Sequence, residues 1–279
     1  MASLSLQTRR TQIMAVLNVT PDSFSDGGQF VQPAAAIDRV AAMIAEGADV
    51  IDVGGESTRP GAAAVSAGQE LERVQPIIAG ITARFDIPVS VDTSKPEVMR
   101  EAVAAGAALI NDVRALREPG ALQAAAESGA AVCLMHMQGQ PRSMQTAPDY
   151  QNVVSEVSDF LLARAAAAQT AGIGAERIML DPGFGFGKTL EHNLQLLAAM
   201  PQLQGLGYAV LVGVSRKSMF SHLLGREVND RLPGSLAVAA LMAQQQVTML
   251  RVHDVQATAD VVQVIKSIRA HIRPAPKIA

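Results

Sequence analysis

The segment 12-QIMAVLNVTPDS-23 carries the pattern that decides the fold, a short run of apolar residues that ends in polar and turn-forming ones. Further runs of this kind recur along the whole chain. The runs cover residues 12–17, 49–53, 88–91, 108–110, 131–135, 177–180, 209–214 and 248–252. Strands that are apolar on successive residues are typical of a parallel sheet covered on both faces.

Segments with helical spacing lie between the apolar runs. Ile37, Val40 and Ile44, for example, follow Pro33 at helical spacing and precede Gly47. Because about eight strand–helix units close a barrel, we predict an α/β fold, a single (β/α)8 TIM barrel. One domain is expected over residues 1–279, with a core of about 12–271 and a tail at 273–279. A doubly wound open sheet is the alternative, but it usually has fewer strands.

The composition limits the classes of function. The 279 residues include 23 basic and 26 acidic side chains, and the net charge of −3 gives no electrostatic basis for binding nucleic acid or an anionic membrane. A single cysteine, Cys133, excludes an internal disulfide and fits a reducing compartment. The sequence shows neither a secretion signal nor a long apolar span. We therefore expect a soluble, cytoplasmic protein without nucleic-acid or membrane partners.

Polar side chains directly follow nearly every apolar run. In a barrel the carboxyl ends of the strands surround one mouth, where barrel enzymes build their sites. Any one of these residues could instead cap the next helix, but a whole ring of them favours a binding pocket. The ring consists of Asn18, Asp52, Asp92, Asn111, Asp112, His136, Asp181, residues 215–217, Arg251 and His253.

Three loops rich in glycine, proline and small polar residues add to this mouth, at 18–28, 54–61 and 181–189. The third loop fails the Walker A spacing because Pro182 stands where the first glycine is required, so nucleotide binding is not indicated. We expect its glycines to let Phe184 and Phe186 approach a flat ligand, with Phe24 on the first loop. The alternative is that these rings pack against neighbouring helices.

Other chemistries are poorly supported by the sequence. Cys133 lies in an apolar strand, which predicts a buried, unreactive thiol. The G-x-S-x-G and H-E-x-x-H motifs are absent, and His136 and His253 follow different strands. The stretch Met135-His136-Met137 could bind a soft metal, but core methionines explain it more simply.

Taken in order, the polar segments resemble dihydropteroate synthases. The resemblance runs from about Gln12 to Asp254 and implies a cytoplasmic, usually dimeric barrel enzyme that is the target of sulfonamide drugs. Such an enzyme joins 6-hydroxymethyl-7,8-dihydropterin diphosphate to 4-aminobenzoate and releases pyrophosphate and 7,8-dihydropteroate. The resembling segments are 18–28, 54–61, 91–96, 111–112, 135–139, 181–188, 215–218 and 251–254.

The resemblance also implies a pterin site whose residue types suit the ligand. A carboxylate at Asp181 matches the amino and N–H edge of a pterin, and the ammonium of Lys217 matches the acceptors on the opposite edge. Asn111 can donate and accept at the remaining ring nitrogens. The implied pterin-binding residues are Asp92, Asn111, Val113, Met135, Asp181, Phe186, Gly213, Lys217 and Arg251.

An SN1-like route fits this resemblance, because loss of the diphosphate leaves a cation delocalised into the reduced ring. The implied catalytic residues are Asp92, Lys217, Arg251 and Arg59. Asn18, Thr58, Arg251 and His253 would bind the diphosphate, and Asn18 would hold Mg²⁺ together with substrate phosphates and water. The implied aminobenzoate-binding residues are Phe24, Thr58, Pro60, Phe186, Lys217 and Ser218.

Two other functions remain open from the sequence. A related pterin-binding barrel transfers a methyl group from methyltetrahydrofolate to a corrinoid protein, but it has no need of loops rich in Thr, Arg and Phe. A non-catalytic pterin-binding protein would be expected to lose Asn18, Asp92, Lys217 or Arg251, and all four are present.

Overall fold

The computed structural model describes residues 4–8, 10–20, 33–57, 65–139, 144 and 148–271. Within them, parallel strands pair in chain order and close into a barrel, with β1 bonded to both β2 and β8. The predicted (β/α)8 TIM barrel is confirmed. The strands are β1 Gln12–Asn18, β2 Val50–Gly54, β3 Val89–Asp92, β4 Leu109–Asp112, β5 Ala131–Met135, β6 Ile178–Asp181, β7 Ala209–Val212 and β8 Met249–Val252.

Helices connect the successive strands and surround the barrel. Some begin with side-chain caps; Ser66, for example, accepts a hydrogen bond from the backbone N–H of Gln69 in a capping box. The helices are α1 Pro33–Ala45, α2 Ala67–Arg84, α3 Pro96–Ala104, α4 Ala121–Ser128, α5 Val153–Thr170, α6 Leu190–Ala198, α7 Met200–Gln204, α8 Met219–Leu224, α9 Leu232–Gln244 and α10 Val255–Ala270.

The alternation of side chains along each strand separates the barrel interior from the helical layer. Outward-facing residues such as Ile51 and Ile110 belong to the large core between strands and helices. Inward-facing residues form a second apolar cluster that includes Val50, Leu109 and Met179. Residues two positions further along a strand face the same side. They are the polar Asp52, Asn111 and Asp181, so a polar layer covers an apolar floor.

The strand boundaries differ from the predicted runs by one or two residues. Asp92, Asp112 and Asp181 are the last residues of their strands instead of the first residues after them. Asp52 was expected at a strand end, but it lies in the middle of β2, fully buried. A buried carboxylate inside a strand requires hydrogen-bond partners. The partners of Asp52 come from distant segments of the chain, so the local sequence did not indicate that Asp52 lies inside the strand.

Two smaller features complete the fold. Cys133 is fully buried inside the barrel, where burial raises the pKa of its thiol, as expected for an unreactive cysteine. Among the helices of the described residues, none combines the length and apolarity that a membrane span requires.

Candidate active site

Arg251 on β8 bridges carboxylates from two neighbouring strands. Its Nε donates to Oδ2 of Asp52 at 2.7 Å, and its Nη2 donates to Oδ2 of Asp92 at 2.8 Å. Asn111 Nδ2 also donates to Oδ2 of Asp52, at 3.2 Å. Among the described residues, the other oxygen of Asp52, Oδ1, has no hydrogen-bond partner. One guanidinium therefore compensates two buried carboxylates.

This arrangement changes the protonation of Asp92. Burial raises the pKa of Asp92 to about 7, against the lowering effect of Arg251, and the Asp52 carboxylate raises it further. When Asp92 is ionised, the group of three side chains carries a net charge of −1. The immediate surroundings of these three side chains then favour a positive charge on a bound molecule.

Asp181 and Lys217 bring opposite charges to the ends of β6 and β7. Oδ1 of Asp181 accepts a hydrogen bond from the N–H of Gly183 at 2.7 Å, and burial raises the pKa of the carboxyl. Burial lowers the pKa of Lys217 to about 8, while Asp181 acts in the opposite direction. The charges of the two side chains act on each other, so they lie in the same part of the barrel mouth.

The contacts of Lys217 aim its ammonium at the loop after β6. Its Nζ donates to the carbonyl of Phe184 at 2.7 Å and lies 4.0 Å from the centroid of the Phe186 ring. A cation at this distance from an aromatic face is attracted by the ring. Phe186 is half-buried, whereas Phe184 is only 1% exposed and packs in the core. The expectation that both rings approach a ligand is wrong for Phe184, whose ring packs in the core between strands and helices.

Hydrogen bonds to helix α9 and to the loop after β8 hold the turn before Lys217. Arg216 adopts a φ of 55°, in the left-handed region, which is unfavourable for a long side chain. Its Nε donates to Oδ2 of Asp254 at 2.8 Å, and its backbone N–H donates to Oγ of Ser235 at 2.9 Å. The oxygen of Ser215 accepts from the N–H of His253 at 3.2 Å. These bonds stabilise the strained turn that presents Lys217.

An apolar wall lies beside the charged groups. Met135, Met137 and Met144 form a small buried cluster, against which Val113 and Phe186 pack. Gly213 lies next to Arg251, whose Cβ would be 3.7 Å from a Cβ added at position 213. Apolar side chains thus lie beside the charged groups, a combination that suits a heteroaromatic ring with polar edges.

The remaining predicted residues are placed as follows. Asn18 is the last residue of β1, and its Oδ1 lies 3.6 Å from a Cβ built at Gly54. His253, directly after β8, and Ser218, at the end of the loop after β7, are both exposed. Nδ1 of His253 lies 3.1 Å from Oγ of Ser215. Phe24, Thr58, Arg59 and Pro60 lie outside the described residues.

Two charged residues of the site were not assigned a role from the sequence. Asp52 was recognised only as one of a ring of polar residues, and Lys188 only as part of a failed Walker A pattern. The ammonium of Lys188 lies 2.9 Å from Nδ1 of His136. Burial, reinforced by Lys188, lowers the pKa of His136 to about 3, so this imidazole is neutral and engaged with a lysine. In the part of the chain that the structure describes, no group of three or more His, Cys, Asp or Glu residues could hold a metal ion.

A barrel with charged and apolar side chains gathered at the carboxyl ends of its strands has the architecture of a barrel enzyme. The sequence profile of the family described as "Pterin binding enzyme" matches residues 14–253. The dihydropteroate synthase of Escherichia coli K12 is 51% identical over 263 residues, which cover 94% of this chain and 93% of that protein.

Solved structures agree with this assignment. A Xanthomonas albilineans dihydropteroate synthase with 4-aminobenzoic acid is 51% identical, with a TM-score of 0.90 and coverage of 96% of each chain. A Yersinia pestis dihydropteroate synthase in complex with a sulfonamide drug is 48% identical, with a TM-score of 0.90 and the same coverage. The chain belongs to the dihydropteroate synthase family, so it is an enzyme of the transferase class.

Proposed function

We propose that this chain condenses 6-hydroxymethyl-7,8-dihydropterin diphosphate with 4-aminobenzoate, giving 7,8-dihydropteroate and pyrophosphate. The observation that carries the proposal is the pairing of a buried carboxylate, Asp181, with an ammonium, Lys217, across one pocket with an apolar wall. The family to which the chain belongs supports it.

The pterin ring would lie between the two charged edges of this pocket. Asp181 accepts hydrogen bonds from the 2-amino group and the adjacent ring N–H, and Lys217 donates to the acceptors on the opposite edge. Asn111 reaches the remaining ring nitrogens, from the strand beside Asp92. Met135 and Gly213 supply apolar contacts to the two faces of the ring.

Cleavage of the bond between the exocyclic methylene and the diphosphate oxygen would follow an SN1-like route. The bonding electrons leave with the diphosphate, and the positive charge spreads into the reduced ring. Asp92 stabilises that cation, and Asp52 contributes to the effect. The two carboxylates together carry more negative charge than Arg251 carries positive charge. Arg251 would lie between the ring and the leaving group. Together with His253 and Thr58, it would donate hydrogen bonds to the diphosphate.

The possible metal ligands at the mouth of the barrel suit a weakly bound Mg²⁺. Asn18 would supply one amide oxygen, and no cluster of carboxylates in the described residues competes for the ion. One neutral oxygen suits a metal that takes its remaining ligands from phosphate and water. When bound, Mg²⁺ would neutralise charge on the departing diphosphate.

The aminobenzoate would bind at the outer side of the pterin. Its amine is neutral near pH 7, so the nucleophile needs orientation more than a base. The ring of Phe186 and the side chains of Lys217 and Ser218 line this side, and we assign Phe24, Thr58, Arg59 and Pro60 to it through the family resemblance. Sulfonamide inhibitors, which share the 4-aminophenyl group, would occupy the same place.

We also propose a homodimer in the cytoplasm. On α9 and α10, two helices packed against each other, Leu241, Val264 and Ile268 are 59%, 57% and 53% exposed. Apolar side chains on one outer surface suit contact with a second copy of the chain. Sedimentation of the wild type and of Leu241→Glu, which should dissociate the dimer, tests this assignment. The cytoplasmic location rests on the single buried cysteine.

The direct test of the reaction uses purified protein, both substrates and Mg²⁺. We expect dihydropteroate and pyrophosphate in equal amounts, and no product when either substrate is omitted. With labelled pyrophosphate and no aminobenzoate, an SN1-like route predicts exchange of label into the pterin diphosphate. Absence of dihydropteroate would refute the proposed function, and absence of exchange would refute the SN1-like route alone.

A further inference from the structure

The ammonium of Lys188 lies in a cage of backbone carbonyls below the pterin pocket. It donates to the carbonyls of Gly183 at 3.0 Å and Phe186 at 3.1 Å, and lies 2.9 Å from Nδ1 of His136. The carbonyl of His136 is a longer contact, at 3.4 Å. Three short contacts match the three hydrogens of an ammonium. Lys188 is 3% exposed, so water does not replace these bonds.

The loop that Lys188 binds is the one that carries the pterin-binding groups. The carbonyls of Gly183 and Phe186 belong to the turn whose N–H at Gly183 fixes Asp181, and Phe186 contacts Lys217. The turn is packed closely on the neighbouring loop, since a Cβ at position 183 would lie 1.9 Å from the carbonyl oxygen of His136. Because the close packing leaves little room for water, the carbonyl groups of this turn need hydrogen-bond donors from the protein. Lys188 supplies these donors.

Lys188 also places a positive charge near Asp181. In the described part of the chain it forms no ion pair, and Asp181 is the carboxylate that acts on it most strongly. Burial raises the pKa of Asp181, while the charges of Lys217 and Lys188 lower it. Burial lowers the pKa of Lys188 to about 7 and the charge of Asp181 acts against that shift, so each of the two buried groups favours the charged form of the other.

We propose that Lys188 is a positioning residue of the pterin subsite, which orders the turn from Asp181 to Phe186 and thereby holds the Asp181 carboxylate in place. The inference rests on the proposed function, because it assumes that Asp181 binds a pterin. Lys188 acts through Asp181, and the ammonium itself is not proposed to contact the substrate. Neutral His136 completes the cage by accepting from the ammonium through Nδ1.

The test is a calorimetric titration of Lys188→Met with 6-hydroxymethyl-7,8-dihydropterin, which lacks the diphosphate. We expect the Kd to rise by about tenfold or more, the loss typical of a hydrogen bond that involves a charged group. The matched control is Lys266→Met, the same change on an exposed position of α10, which should leave the Kd within about twofold of wild type. A wild-type Kd in Lys188→Met would overturn the inference.

A double-mutant cycle separates positioning from a general loss of structure. If Lys188 acts through Asp181, adding Lys188→Met to Asp181→Asn should weaken pterin binding by no more than about twofold. Losses that multiply in the double variant would mean that Lys188 acts independently of Asp181, and the inference would be wrong. Wild-type turnover, measured beside these titrations, shows whether a negative result concerns Lys188 or the proposed function.

A second substitution distinguishes a loss of pterin binding from a loss of the fold. Lys188→Gln keeps two donors for the carbonyl cage and removes the charge, so it should fold and still bind pterin more weakly than wild type. Circular dichroism and thermal unfolding of both variants establish the fold. If neither variant folds, Lys188 supports the barrel as a whole instead of the pterin subsite, which also contradicts the inference.

Discussion

The ammonium of Lys217 lies 4.0 Å from the centroid of the Phe186 ring, so a cation and an aromatic face meet at the border between the two proposed subsites. The contact joins the loops after β6 and β7. It keeps Lys217 near Asp181 and leaves the half-buried ring available to a second aromatic molecule. Each substrate is therefore expected to depend on this pair.

The ring of Phe186 should contribute to aminobenzoate binding. Phe186→Leu removes the aromatic face while keeping apolar bulk, and a cation–ring contact is worth about 1–2 kcal/mol when partly desolvated. We expect the KM for 4-aminobenzoate to rise about tenfold, with a smaller change in kcat. Phe186→Tyr retains the face and serves as the control in steady-state assays. Equal KM values for Phe186→Leu and wild type would contradict this role.

The pH dependence of kcat/KM for the pterin substrate should be bell-shaped. Asp92 must be ionised to stabilise the ring cation, and its pKa of about 7 predicts that activity falls as the pH drops below that value. Lys217 must be protonated to donate, and its pKa of about 8 predicts that activity falls above it.

Lys217→Arg tests the assignment of the alkaline limb. A guanidinium stays charged, so the decline should move to higher pH although the maximal rate is lower. An alkaline limb that stays at the same pH in this variant would assign it to another group.

Asp52 should affect the rate more than substrate binding. Asp52→Asn removes the charge of one of the two carboxylates that favour the ring cation, while its amide oxygen can still accept the hydrogen bond from Arg251. We expect kcat to fall about 100-fold, the low end of the effect of removing a group that acts electrostatically on a transition state, with KM values near wild type. Asp86→Asn, at an exposed position before β3, is the matched control. A variant with wild-type kcat would remove Asp52 from the mechanism.

Metal binding should depend on the diphosphate. Since Asn18 is the proposed protein ligand and substrate oxygens supply the rest, calorimetric titration of the substrate-free enzyme with Mg²⁺ should show no tight binding. The same titration with the pterin diphosphate present should show it, and chelation should abolish turnover. Asn18→Ala should weaken the substrate-dependent affinity. Tight binding of Mg²⁺ to the substrate-free enzyme would contradict the assignment.

The sequence was sufficient to predict the fold and much of the pocket. Apolar runs followed by polar residues indicated the barrel, and the closed sheet brings Asp92, Asn111, Asp181, Lys217 and Arg251 to one mouth. These residues could be found because parallel strands in a barrel all end at the same face. Their pairing depends on closure of the barrel, which joins β8 to β1 and brings Arg251 next to Asp52.

Other features could not be predicted from local pattern. Two phenylalanines in one glycine-rich loop have the same neighbours in sequence, yet Phe184 packs in the core and Phe186 faces the pocket. The turn that separates the two rings contains glycines with positive φ angles, 69° at Gly183 and 76° at Gly185, which the sequence alone does not specify. Likewise, the role of Lys188 depends on carbonyls that converge only in the folded loops.

The most direct test of the account is the affinity of Asp181→Asn for 6-hydroxymethyl-7,8-dihydropterin, measured by calorimetry beside Asp159→Asn on the exposed face of α5. The central claim is that the Asp181 carboxylate accepts two hydrogen bonds from the pterin edge. Replacing it with an amide should weaken binding by about 100-fold while the thermal unfolding of the variant stays close to wild type, because a charged double hydrogen bond is lost. An Asp181→Asn protein that binds the pterin as tightly as wild type would contradict the claim.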